Sequence, residues 1–101
     1  MRVLVREPIN QPLELKEIEG TLEDLQDLVG EYIEIVPITD DIVCICNEKG
    51  SSQGLGNNFY DDRLGWIVGT CVFTSTKNAE FTSLSDTQIG YIGEYIGFPI
   101  V

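Results

Sequence analysis

The segment Ile42-Val43-Cys44-Ile45-Cys46 constrains this chain more than any other. Successive side chains of a strand point to opposite faces. Val43 and Ile45 therefore take one side, and Ile42, Cys44 and Cys46 the other. A strand that is apolar on both faces needs cover on both. It is the central strand of a sheet, or one covered by a partner subunit. The 101 residues suit a single domain, 1–101, and the 43% hydrophobic content supplies one ordinary core.

The segments around it predict the remaining elements. Met1–Glu7 alternates weakly and reads as a strand, and Pro8 to Pro12 is turn chemistry. Leu13, Leu15 and Ile18 form a second short strand, which makes the opening a hairpin. Thr21 is placed to cap the amide of Asp24 and open a helix whose stripe is Leu22, Leu25, Leu28 and Val29, ended by Gly30. Tyr32–Ile38 is a strand with Ile33 and Ile35 facing inward, turned by Thr39-Asp40-Asp41 into Ile42–Cys46.

After a long connection, Trp66–Thr76 is β-branched or aromatic at most positions and reads as one strand. Lys77–Glu80 turns it into Phe81–Leu84. Ser85 and Gln88 then form a capping box for a second helix with the stripe Ile89, Ile92 and Ile96. The glycines of that helix, Gly90, Gly93 and Gly97, point either to a close approach or to a frayed helix. Short hairpins in this order predict an α+β fold. Its sheet is mainly antiparallel, of about five or six strands, with two short helices packed on one face.

Composition excludes several kinds of chemistry. There is no histidine, so acid–base work would fall to strongly perturbed carboxylates, tyrosines or thiols. Asp61-Asp62 reads as a pair of solvated turn acids, and no histidine is present to activate Cys71. Cys44, Cys46 and Cys71 cannot complete a Cys/His zinc site and read as reduced core thiols. The expectation is a protein that is not an enzyme, with no metal and no cofactor.

Net charge is −11, concentrated in residues 1–48, where twelve acids face three bases. That field repels nucleic acid and anionic membranes, so neither is expected as a partner. It suits docking on a basic protein surface, through an acidic face of Glu23, Asp24, Asp27, Glu31 and Glu34, or simply keeps the chain soluble. The N-terminal segment has no signal-like apolar region, which leads to a cytoplasmic expectation.

The connection from Asn47 to Gly65 carries Gly50, Gly54, Gly56 and Gly65 together with Asn47, Asn57 and Asn58. So long a turn-rich stretch in a small domain is a binding loop or a flexible one. It lacks the Gly-Lys-Ser/Thr ending of a phosphate loop. A nucleotide is still conceivable on it, stacked on Tyr60 or Trp66, read by Asn57 or Asn58 and held by Arg63. Trp66 reads more readily as a core anchor than as a ligand platform. Tyr32, Tyr91 and Tyr95 suit either sheet packing or an interface, including a homo-oligomeric one.

Several blocks resemble a small uncharacterised domain family carried by phages and mobile elements of Gram-positive bacteria. They are Gly20–Gln26, Val29–Glu34, Asn47–Gly50 with Gly54, Leu55 and Asn57, Ile67–Thr70, and Ser83–Ile89. The resemblance implies no catalytic residues. It implies a genetic setting, a bacterial host cell, in which accessory genes commonly serve host takeover or block antiviral defence. The expected function is a binding protein that inhibits a host defence component. The alternatives are a sponge for a nucleotide-derived immune signal, using the 47–66 loop, and a structural or assembly accessory.

Overall fold

The computed structural model describes residues 1–101. Its elements, in chain order, are β1 (Arg2–Arg6), β2 (Glu14–Glu17), α1 (Leu22–Val29), β3 (Ile33–Pro37), β4 (Ile42–Asn47), β5 (Asn57–Asp61), β6 (Gly65–Val68), β7 (Cys71–Lys77), β8 (Glu80–Thr82) and α2 (Asp86–Ile96). Six strands form one sheet in the order β2-β1-β7-β4-β3, with β8 pairing on β7, and every pairing in it is antiparallel. Strands β5 and β6 form a separate hairpin. The fold is α+β and mainly antiparallel, as the pattern predicts. Strand β4 lies inside the sheet, between the middle strand β7 and the edge strand β3; it is buried at every position, and both of its faces are covered within the chain.

The two helices do not share a face. One cross-strand row runs Leu4, Phe73, Cys44, Val36 and points into a core completed by Leu13, Phe59, Ile67, Leu84 and Ile92 of α2. The adjacent row, Val5, Val72 and Ile45, points the other way and packs on Leu25 and Val29 of α1. The expectation of both helices on one face is thus corrected. The cause lies in the connection. Asn57, Asn58 and Asp61 are poor strand formers, yet 57–61 is strand β5, and its hairpin shares the α2 face of the sheet.

Local chemistry explains the helix ends. The Thr21 hydroxyl accepts from the Asp24 amide at 3.1 Å, and Gly30 N–H donates to the Gln26 carbonyl at 2.9 Å. The capping box at Ser85 is complete in both directions, at 3.1 and 2.8 Å to Gln88. Each such cap satisfies amides the helix cannot, worth about 1 kcal/mol. Leu22, expected on the α1 stripe, is exposed, as is half of Ile35 on the edge strand β3. Both lie where the covering layer ends. Of the α2 glycines, only Gly93 is crowded, where an added Cβ would meet Ile100 at 3.1 Å. Gly97 ends the helix in the left-handed region, and Gly90 faces open space.

Candidate functional site

The Asn47–Gly65 connection divides into a pinned turn and a strand. Asn47 is buried; its Oδ1 accepts from the Lys49 amide at 2.7 Å, and its Nδ2 donates to Gln53 Oε1 at 3.0 Å. Gly50 packs so closely on β6 that an added Cβ would lie 2.8 Å from the Val68 carbonyl oxygen. The turn is therefore shaped from within. The span expected as one strand from Trp66 is cut at Gly69, whose positive φ lets the chain leave the hairpin and enter β7.

Within the hairpin, the usual burial of apolar groups is partly inverted. Asn58 is buried and donates to the carbonyls of Arg6 and Gly69, both at 2.8 Å. Arg6, itself buried, returns the contact from its guanidinium to the Asn58 carbonyl at 2.6 Å and Oδ1 at 3.1 Å. It also donates to Gln11 O at 2.7 Å and lies 4.1 Å from the Phe98 ring centre. No carboxylate pairs with Arg6; neutral oxygens and a ring face satisfy it, and burial lowers its pKa.

Asp61 is buried too, against its reading as a solvated turn acid. It accepts from the Arg63 and Leu64 amides at 2.8 and 3.1 Å, from the Arg63 side chain and from the Tyr95 hydroxyl at 3.1 Å. The Arg63 side chain is the main cause of its lowered pKa. Tyr95 is pushed up to about 12, first by burial and then by its bond to Asp61. Arg63 also donates to the Pro37 carbonyl.

Residues of similar size but opposite character face outward. Tyr60 and Trp66 are cross-strand partners, 57% and 56% exposed, with rings edge to face 5.6 Å apart. Leu64, at the turn between them, is exposed as well. Trp66 is thus not the expected core anchor; Phe59 and Ile67 fill that role from the inner face. Trp66 also walls a cleft of about 90 Å³ with Glu34, Glu48, Gly50, Ser51 and Val68.

The residues proposed for a nucleotide do not converge. Asn58 is consumed inside, Asn47 holds the turn, Arg63 is neutralised by Asp61, and Asn57 is exposed. A wider hollow of about 320 Å³ beside Arg63 and Tyr95 is walled by Asp61 and Asp62. Carboxylates there oppose a phosphate. The acidic face also divides. Glu23, Asp24, Asp27 and Glu31 lie on or just after α1, and Asp24 accepts from the Gly20 amide at 3.0 Å. Glu34 points to the opposite side of the sheet, toward Cys46 and the Trp66 cleft.

A family model described as a domain of unknown function, DUF3846, matches residues 1–97. The chain belongs to the DUF3846 family. No curated protein and no solved structure matches it. The other expected contact residues of this DUF3846 chain are in view. Tyr91 and Tyr95 stack with ring centres 6.3 Å apart on α2, and Tyr32 carries the Lys49 ammonium 4.2 Å from its ring centre. All three thiols are buried and free, and burial raises Cys44 well above an ordinary thiol. No group of three His, Cys, Asp or Glu is arranged to hold a metal ion, and no helix is long and apolar enough to cross a membrane.

The outward Tyr60–Trp66 pair follows from the hairpin register, Phe59 to Ile67, Tyr60 to Trp66 and Asp61 to Gly65, which becomes legible once a turn is placed at 62–64.

Proposed function

We propose that this chain is a non-enzymatic binding protein that works by protein–protein contact through the outer face of the β5–β6 hairpin. The observation that carries this reading is the exposed Tyr60–Trp66 pair on a hairpin anchored from beneath by Asn58, Phe59, Asp61 and Ile67. Tyrosine and tryptophan offer large contact area at little cost in side-chain freedom and dominate interface hot spots. Glu34 and Glu48 line a cleft with Trp66, and the chain carries a net charge of −11. Such a field favours encounter with a basic partner. The phage and mobile-element resemblance supplies the biological sense: occupation of a functional basic surface on a host defence component, inside the bacterial cell.

The experiment is capture from bacterial lysate by the immobilised chain, beside a Tyr60→Ser/Trp66→Ser variant. Capture is expected at low salt, reduced at ~0.5 M salt and absent with the variant. A partner held equally by the variant, or indifferent to salt, removes this reading.

A further inference from the structure

We propose that the cleft beside Trp66 receives the guanidinium of an arginine on the protein partner. This rests on the protein-contact reading and gives it a chemical address. The cleft holds about 90 Å³, the volume of roughly three waters in the liquid. That room suits a guanidinium head. It falls well short of the ~300 Å³ at which small-molecule sites begin, so a nucleotide does not fit it.

Its walls are matched to a planar cation. Glu34 from β3, Glu48 from the turn after β4 and Trp66 from β6 all line it. Neither carboxylate has an ion-pair partner within the chain. Lys49, the nearest base in sequence, is turned away onto the Tyr32 ring and does not line the cleft. Arginine can lie on an indole face while its N–H fork reaches carboxylates, which a lysine ammonium does only as a point charge. The cleft is also preformed. Asn47 pins the turn through two hydrogen bonds, and the tight Gly50–Val68 approach fixes the floor. Little ordering is left to oppose binding.

The test uses the capped peptide acetyl-Gly-Arg-Gly-amide beside its citrulline counterpart, which is neutral and nearly the same shape. Trp66 is the chain's only tryptophan, so its fluorescence reports directly, with backbone amide shifts of residues 34 and 48–51 as the second readout. Saturable binding of the arginine peptide is expected near ~1 mM, with citrulline about tenfold weaker and ~0.5 M salt closing most of the gap. Glu34→Gln/Glu48→Gln, on two exposed residues, keeps the far-UV spectrum and weakens the arginine peptide by about tenfold. Equal binding of the two peptides, or no saturable response, overturns the assignment. The two readings fail separately. If lysate capture depends on Tyr60 and Trp66 but the arginine peptide does not bind, the cleft assignment falls and the surface reading stands. If the peptide binds but capture is indifferent to those aromatics, the surface reading falls, and with it the partner's arginine as the occupant, while the cleft keeps its affinity for a guanidinium.

Discussion

The α1 side of the sheet and the β5–β6 hairpin bury their residues by different rules. Under α1, Val3, Val5, Ile45 and Val72 meet Leu25 and Val29, and the acids stay outside. Stability there comes from area removed from water, about 1.5–3 kcal/mol for each large side chain. In the hairpin, Asn58 and Asp61 go inside while Tyr60, Leu64 and Trp66 stay out. Polar groups tolerate that only because each finds partners, and exposed aromatics gain nothing from the fold itself. The contrast separates a part of the molecule held by apolar burial from a part that buries polar groups and leaves its largest rings exposed.

That contrast can be broken experimentally, and the largest expected effect is at Asn58. Asn58→Ala leaves the Arg6 and Gly69 carbonyls without their donor away from water and removes one of three oxygen acceptors from the Arg6 guanidinium, at about 3 kcal/mol in urea unfolding. Leu25→Ala on the other side should cost a similar ~3 kcal/mol through a cavity alone. The two are separable by coupling. Arg6→Met and Asn58→Ala, which share a contact, are expected to cost less together than the sum of the single changes, whereas Arg6→Met and Leu25→Ala are expected to add; additivity in both pairs would erase the distinction.

Next in size is Asp61. Its folded pKa lies below its ordinary value, held there chiefly by Arg63. The stabilisation is present above the unfolded value and is lost as pH falls through the folded one. Asp61→Asn should therefore lower stability at neutral pH and flatten the acid limb below about pH 4. An unchanged acid limb would deny the carboxylate its structural role. The partner group gives the alkaline counterpart. Tyr95 is raised to about 12, so its contribution is complete below about pH 10 and fades as pH climbs toward the folded value. Ultraviolet titration should show Tyr95 ionising late, and Asp61→Asn should bring it part of the way back toward the ordinary phenol value.

The smallest stability effect belongs to the outer face. Tyr60→Ser/Trp66→Ser should shift unfolding by no more than about 1 kcal/mol, since both rings are more than half exposed. A loss as large as that of Asn58→Ala would mean that these rings hold the hairpin together rather than serve as a surface.

Much of the framework was legible in the residues. Thr21 and the Ser85–Gln88 box mark where the helices begin, and the two-faced apolar pattern of Ile42–Cys46 marks an interior strand covered on both sides. These signals are local, with each residue answering to neighbours a few positions away. The candidate surface was less legible. Asn57, Asn58, Tyr60, Arg63 and Trp66 were singled out as one loop set, but their roles diverged once folded. Asn58 became structural because Arg6, far away in sequence, comes to lie beside it. Glu34 left the acidic face because its strand position turns it toward Cys46 and Trp66 rather than toward α1.

By itself, the sequence determined an α+β chain with a central apolar strand, two capped helices, a strongly acidic balance and no histidine chemistry. Only the tertiary structure decided which face each helix covers, that Asn57–Asp61 of the long connection is a strand, and that Trp66 points outward beside two unpaired carboxylates. The reason is one of range. Caps and alternation are set by contacts within a turn or a strand, whereas the inside and outside of a hairpin are set by what it lands on.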